Sequence, residues 1–167
     1  KVYFNKSIKS SDFLILKNND IVVIDKKSNL FLLDKNFKKK FSVKLNKKRD
    51  QKDYELIYKL ETDNKKIFIS DNLGNIYALN SENLKIIWEK NLSVPFFSDI
   101  KIYQNNIYLI NSNSKIFSIN KNNGEINWSY ETPSKLIKSK DSYGIEIIGD
   151  NLLFSNDFGE LYNLDLK

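Results

Sequence analysis

The segment KIFISDNLGNIYALN (residues 66–80) holds an apolar run, a polar turn and a second apolar run that ends in Asn. The same pattern occurs three more times, as DIVVIDKKSNLFLLD (20–34), NIYLINSNSKIFSIN (106–120) and NLLFSNDFGELYNLD (151–165). Equivalent positions in successive copies lie 46, 40 and 45 residues apart. A period of this length indicates a repeat architecture, in which each copy forms one unit that packs against its neighbours. Such proteins present surfaces more often than they perform chemistry.

Composition is that of a globular domain with a mildly basic surface. The 167 residues are 41% hydrophobic, which suits one domain with a packed core, and the formal net charge is +6. All but one of the 27 basic residues are lysines, Arg49 being the exception, and planar recognition of phosphate favours arginine. The lysines are scattered among Ile and Asn, as in a solvated surface with a codon bias. Nucleic-acid binding is therefore not supported.

Several residue types that carry chemistry are missing. The chain contains no Cys and no His, which removes thiolate chemistry, the usual general base and the commonest metal ligand. It also contains no Met and begins at Lys1, so we expect a piece of a longer protein. No run of 18 apolar residues and no catalytic fingerprint occurs. The sequence predicts neither catalytic nor metal-binding residues.

The apolar runs predict strands rather than helices. They are four to six residues long, rich in Ile, Val, Phe, Tyr and Leu, and separated by Gly, Asn, Asp and Ser. In the second copy we expect strands at about 56–62, 67–71, 75–79 and 85–91. Consecutive apolar positions, as in IYLI, indicate sheets that are covered on both faces.

These features predict an all-β protein, a β-propeller of four-stranded antiparallel blades. About four blades are present in an incomplete ring, at roughly 12–45, 55–92, 98–131 and 143–167. Residues 1–9 (KVYFNKSIK) are predicted to end a preceding blade. The last unit stops after its third strand.

One repeat family shares this pattern. The segments DNLGNIYALNSENLKIIW (71–88) and SKIFSINKNNGEINW (114–128) are the fullest copies, whereas the first copy has Phe41 in place of Trp. They resemble the repeat of the pyrroloquinoline-quinone-type (PQQ-like) β-propellers. In that repeat the Trp and the aromatic after Gly dock adjacent blades, since a Trp spans the gap and its N–H can reach a backbone carbonyl. The resemblance assigns this structural role to Trp88, Trp128, Tyr77, Phe117 and Tyr162.

Two families within this class imply different functions. Quinoprotein dehydrogenases use the quinone, calcium and a catalytic aspartate, but this chain lacks their cysteine pair. Its recurrent acids and amides (Asp34, Asn80, Asn120, Asp165) are predicted turn formers.

The second family, the outer-membrane barrel-assembly lipoprotein BamB, is non-catalytic and is the one that the chain resembles most. It implies a scaffold without cofactor, located in the periplasm at the outer membrane. Its partner would be the periplasmic domains of a BamA-like barrel-assembly subunit, and membrane contact would come only through a lipid anchor outside this segment. A PQQ-dependent dehydrogenase fragment and a generic propeller interaction domain are the alternatives.

Two connections between blades are candidate partner-binding segments. The connection after the third copy, ETPSKLIKS (131–139), resembles the partner-binding loop of the BamB family. The connection before it, SVPFFS (93–98), places apolar residues beside a proline, which favours an interaction patch if they are exposed. The alternative is that its aromatics pack between the blades. The predicted partner-binding residues are Leu136, Ile137, Lys138, Phe96 and Phe97. The basic insertion at 45–53 is interpreted as a solvated loop.

Overall fold

The computed structural model describes residues 10–45, 56–133 and 143–167, and every regular element in these ranges is a β-strand. Sheet A contains β1 (Ser10–Ile15), β2 (Ile21–Asp25), β3 (Asn29–Leu33) and β4 (Lys39–Lys44). Sheet B contains β5 (Tyr58–Thr62), β6 (Lys66–Asp71), β7 (Asn75–Asn80) and β8 (Ile86–Asn91). Sheet C contains β9 (Lys101–Tyr103), β10 (Asn106–Ile110), β11 (Lys115–Asn120) and β12 (Ile126–Glu131). Sheet D contains β13 (Ile145–Ile148), β14 (Asn151–Ser155) and β15 (Leu161–Asp165).

Each sheet is an antiparallel meander in which sequential strands pair. Sheets A, B and C have four strands, and sheet D has three within the described residues. No helix that could cross a membrane occurs in the part of the chain that the structure describes. The prediction of an all-β protein built from four-stranded antiparallel blades is confirmed.

The sheets stand side by side in the order A, B, C, D. Their innermost strands adjoin, β1 against β5, β5 against β9 and β9 against β13. In the described ranges no comparable strand contact joins sheet D to sheet A, so the array is open. The fold is thus an incomplete β-propeller, as the sequence predicts.

Three apolar clusters fill the gaps between successive sheets. The A–B cluster includes Ile24, Leu32, Ile67, Ile69 and Tyr77. The B–C cluster includes Phe68, Ala78, Trp88, Ile107 and Phe117, and the C–D cluster includes Tyr108, Ile110, Ile116, Leu152 and Phe154. Burying one such aliphatic or aromatic side chain contributes about 1.5–3 kcal/mol, so these junctions dominate the stability of the array.

The burial of each strand follows from its place in the array. In sheets B and C, β6 and β11 are buried at four or more consecutive positions because both faces are covered. In sheet A, β2 and β3 bury Val22, Ile24, Leu30 and Leu32 completely but leave the intervening residues half-exposed. In sheet D, β15 alternates between exposed and half-buried positions.

Asp and Asn side chains close the turns. Asp71 accepts hydrogen bonds from the backbone N–H groups of Leu73 and Asn75 at 2.9 Å each. Asp25 does the same in sheet A, Asn111 in sheet C and Asn156 in sheet D. Asp34, Asn80, Asn120 and Asp165 also accept bonds from nearby backbone N–H groups, which confirms them as turn formers.

Candidate partner-binding rim

The turns and connections lie on two opposite rims of the array. We call connection rim the edge that carries the turns between the second and third strands of each sheet, together with the chain segments that join one sheet to the next. These segments contact the turns directly: the Ser112 N–H donates to the Pro95 carbonyl at 2.8 Å, and the Phe96 N–H donates to the Asp71 carbonyl at 3.2 Å. The opposite rim carries the remaining turns, such as 34–38 and 120–125. The segment 93–98 belongs to the connection rim, and of the segment 131–139 only residues 131–133 are described, at the end of β12 and just beyond it.

Trp88 fixes the junction between sheets B and C. Its indole N–H donates to the Lys121 carbonyl at 3.2 Å, and its ring centroid lies 6.5 Å from that of Phe68. A Cβ added to Gly124 would lie 2.8 Å from the Cδ2 and Cε3 atoms of Trp88. The indole therefore rests on the bare backbone of the β11–β12 turn.

The other predicted docking residues also lie at sheet junctions. Tyr77 is buried in the A–B cluster, and Phe117 is buried in the B–C cluster. Trp128 is half-buried beside Tyr108, with 5.9 Å between ring centroids, and Tyr162 stacks on Phe154 at 5.2 Å. The structure thus places all five side chains between sheets, where they contribute packing.

The structure corrects the prediction for Phe96. This side chain is 1% exposed and packs edge-on against Phe117, with 6.0 Å between ring centroids. The backbone of Phe96 forms an antiparallel β-bridge with Asn111, and this pairing directs the ring into the B–C cluster. Phe96 is therefore a core residue, as the alternative interpretation had it, and it does not offer a partner surface.

The remaining predicted partner-binding residues have different outcomes. Phe97 is half-buried at the connection rim, where it packs against the C–D cluster. Leu136, Ile137 and Lys138 lie outside the described residues, as do residues 1–9 and most of the basic insertion.

Two buried tyrosines at this rim escaped the sequence analysis. Tyr58, at the start of β5, donates its hydroxyl to Ser28 Oγ of sheet A at 2.7 Å. Tyr143, just before β13, donates to the Ser112 carbonyl of sheet C at 3.1 Å. Each tyrosine stands two residues before an apolar residue of the innermost strand, Leu60 and Ile145 respectively. Aligning the copies on these apolar residues would therefore have revealed the shared position of the two tyrosines. Burial raises the pKa of Tyr58 to about 12, because the ionised phenol would lose its hydration.

Ion pairs join the sheets away from the connection rim. Asp63 of the β5–β6 turn contacts Lys121 of the β11–β12 turn at 3.0 Å, with both side chains largely buried. Burial opposes ionisation of Asp63, but hydrogen bonds from Lys121 and from the Lys66 and Lys65 N–H groups hold its pKa below the usual value. Among the described residues no group of three or more acidic, Cys or His side chains could hold a metal ion.

The connection rim exposes apolar side chains that a protein partner could cover. Phe158, in the β14–β15 turn, is 54% exposed. Pro133 is also exposed, and its carbonyl accepts a hydrogen bond from Asn156 Nδ2 at the start of the same turn. Val94 and Pro95 are half-buried in the connection between sheets B and C. These four residues and Phe97 form the apolar part of the rim. Separately, a groove of about 450 Å³ lies between sheets C and D beside Trp128, Tyr130 and Leu164.

The fold and the repeat chemistry define the class of the protein as a β-propeller with a PQQ-like repeat. The sequence model of the family described as "Outer membrane protein assembly factor BamB" matches residues 53–167. Since this match covers more than half of the sequence, the chain belongs to the BamB family.

Individual relatives agree with this assignment. The outer membrane protein assembly factor BamB of Legionella pneumophila (strain Paris) is 28% identical over 94 residues, which are 56% of this chain and 23% of that protein. The crystal structure of BamB from Moraxella catarrhalis superposes with a TM-score of 0.72 at 13% identity, covering 91% of this chain and 48% of that one. The computationally designed Ika4 protein gives a TM-score of 0.75 at 8% identity, covering 100% of this chain and 96% of that one. The two structural likenesses establish the fold, and the chain spans half or less of the length of the BamB proteins it matches.

Proposed function

We propose that this propeller is a non-catalytic scaffold that assists the insertion of outer-membrane proteins. It acts in the periplasm at the outer membrane by binding the periplasmic domains of a BamA-like barrel-assembly subunit through its connection rim. The observation that carries the proposal is the match of the BamB family over residues 53–167. Fold alone would not support it, because propellers serve many functions.

Features of the connection rim favour a protein partner. Val94, Pro95, Phe97, Pro133 and Phe158 give it exposed or half-exposed apolar area, and the aromatic members suit the centre of an interface. The opposite rim is dominated by Lys, Asn and Asp side chains in its turns. In the described connection between sheets B and C, backbone bonds such as Ser112 N–H to the Pro95 carbonyl hold the chain against the neighbouring turns, so binding to this part of the rim requires little ordering.

A matched pair of variants tests the proposal. Phe158→Asp changes a 54% exposed side chain of the connection rim, and Phe37→Asp changes a 49% exposed one in the β3–β4 turn of the opposite rim. In calorimetric titrations with purified periplasmic domains of the barrel-assembly subunit, Phe158→Asp should weaken binding by about five- to thirtyfold, since a truncated interface anchor costs about 1–2 kcal/mol. Phe37→Asp should bind like the unaltered chain. Equal binding by both variants, or no binding by the unaltered chain, contradicts the proposal.

The quinoprotein alternative makes a different prediction. A titration with pyrroloquinoline quinone and calcium should give no saturable heat if the chain is a scaffold. Stoichiometric, saturable binding of the quinone would contradict the non-catalytic assignment.

A further inference from the structure

We infer that Asn123 is a site of spontaneous deamidation, and that the reaction releases the contact between Trp88 and the β11–β12 turn. Asn123–Gly124 is the only Asn-Gly dipeptide in the chain. Cyclisation of an asparagine onto the following backbone nitrogen is fastest before glycine, since no side chain hinders the approach. The inference is independent of the proposed partner.

The turn combines an exposed reactive group with a buried neighbour. The Asn123 side chain is exposed, whereas Gly124 is buried under the indole of Trp88. Gly124 has φ +76, and its N–H donates to the Asn120 carbonyl at 2.9 Å. Asn123 Oδ1 accepts a hydrogen bond from the Glu125 N–H at 3.0 Å, and Asn123 Nδ2 donates to Glu125 Oε2 at 2.7 Å.

The reaction needs no reagent other than water. The Gly124 nitrogen loses its proton and attacks Cγ of Asn123; the new C–N bond closes a succinimide, and the Cγ–Nδ2 bond breaks with release of ammonia. Water then opens the ring at one of its two carbonyls and yields aspartate or isoaspartate. The hydrogen bonds of Gly124 and Asn123 within the turn must open first, so the reaction is slow in the folded chain and faster at higher pH.

Either product disturbs the packing of Trp88 against the β11–β12 turn. A carboxylate at position 123 would face Glu125 Oε2 in place of the amide that now donates to it at 2.7 Å. Isoaspartate also lengthens the main chain by one methylene directly before Gly124. Since the Trp88 N–H bonds to Lys121 of this same turn and its ring touches Gly124, a shift of the turn exposes the indole.

Sheet B supplies an internal control. Asn83–Leu84 occupies the equivalent turn, where the Leu84 N–H donates to the Asn80 carbonyl at 2.9 Å and the Lys85 N–H donates to Asn83 Oδ1 at 2.9 Å. Leu84 also has a left-handed backbone, with φ 58. The two turns therefore share their backbone hydrogen bonds and a left-handed residue after the asparagine, although their other side chains differ. The branched side chain of Leu84 hinders ring closure at Asn83, whereas Gly124 leaves Asn123 unhindered.

The test is incubation of the unaltered chain at mildly alkaline pH, followed by peptide mapping by mass spectrometry. We expect Asn123 to be lost to Asp and isoAsp through a succinimide while Asn83 stays intact. In parallel, the Trp128→Phe chain, whose only tryptophan is Trp88, should shift its emission to the red with the same time course. Adding Asn123→Gln should abolish that shift, because the longer side chain closes the ring poorly.

Each measurement can overturn part of the inference. If Asn123 survives as long as Asn83, the modification site is wrong. If Asn123 is converted but Trp88 emission stays constant, the coupling between the turn and the sheet junction is wrong. If the emission of the Asn123→Gln chain shifts to the same extent, the shift does not arise from deamidation and the coupling is again refuted.

Discussion

At the scale of single residues, the junction between sheets B and C depends on Gly124, because this residue has no side chain. Trp88 reaches the next sheet only because Gly124 leaves room, and the same glycine supplies the left-handed backbone of its turn. In sheet B, Leu84 occupies the equivalent position with φ 58 and is 2% exposed. The aromatic residue of sheet A that corresponds to Trp88 is Phe41 in β4, which is 43% exposed. The larger aromatic residue, Trp88, is thus paired in the repeat with the smaller turn residue, Gly124, and the smaller aromatic residue, Phe41, with the larger turn residue, Leu84.

Gly124→Ala should therefore cost more than the same change at another left-handed glycine. At Gly159, with φ +82, an added Cβ meets nothing within 4 Å, so Gly159→Ala should cost only the backbone penalty of about 1–2 kcal/mol. Gly124→Ala adds a clash with Trp88 at 2.8 Å and should cost about 2–4 kcal/mol in total. Urea unfolding measures both free energies. Equal costs would show that Trp88 does not depend on this contact.

Tyr58→Phe tests the buried hydroxyl at the A–B junction. The variant loses the 2.7 Å bond to Ser28 Oγ and should lower the free energy of unfolding by about 1–2 kcal/mol. Because the pKa of Tyr58 is raised from 10.0 to about 12 in the fold, its neutral form stabilises the protein fully below pH 10. That contribution is lost as pH rises toward 12. The variant should therefore show a flatter alkaline loss of stability than the unaltered chain, and identical slopes would rule out this role.

At the scale of elements, the repeat predicts strands well and side-chain environments less well. The strands of the second copy were expected at 56–62, 67–71, 75–79 and 85–91, and they occur at Tyr58–Thr62, Lys66–Asp71, Asn75–Asn80 and Ile86–Asn91. Alternation and turn residues determine these bounds locally. The burial of Phe96 was not predictable in this way, because a bridge to Asn111 of another sheet directs it. Lys121 likewise pairs with Asp63 across a sheet junction, at a separation that sequence spacing does not reveal.

The pair between Asp63 and Lys121 should stabilise the B–C junction in a pH-dependent way. The pKa of Asp63 is lowered from 3.8 in the fold, so its contribution is present above pH 3.8 and is lost as pH falls through the folded value. Asp63→Asn should lower the free energy of unfolding near neutral pH by about 1–2 kcal/mol and flatten the acid limb of the stability curve.

Asp99→Asn is the control for Asp63→Asn, because Asp99 joins the same two sheets. Its carboxylate contacts Lys59 at 2.8 Å but is 61% exposed, so the substitution should cost under about 1 kcal/mol. Urea midpoints measured across the acid range compare the two variants. An Asp99→Asn variant that loses as much stability as Asp63→Asn would contradict the importance of burial.

At the scale of the whole molecule, the repeat predicted the architecture and the family, whereas the candidate binding surface could be outlined only from coordinates. A period of 40 to 46 residues with recurrent aromatics is a property of the chain itself. The apolar part of the connection rim is formed by Val94, Pro95, Phe97, Pro133 and Phe158, which come from three separate segments. Only the packing of sheets B, C and D brings these segments to one edge. The predicted residues at 136–138 remain a prediction for the same rim.

The most direct test of the scaffold proposal is a hydrogen-exchange footprint with the periplasmic domains of the barrel-assembly subunit. Amides of the two described segments 93–97 and 156–160 should exchange more slowly in the complex, because the partner covers the connection rim. Amides of the opposite rim, at 34–38 and 120–125, should exchange at unchanged rates. Protection confined to the opposite rim, or no protection at saturating concentrations of the domains, would contradict the account.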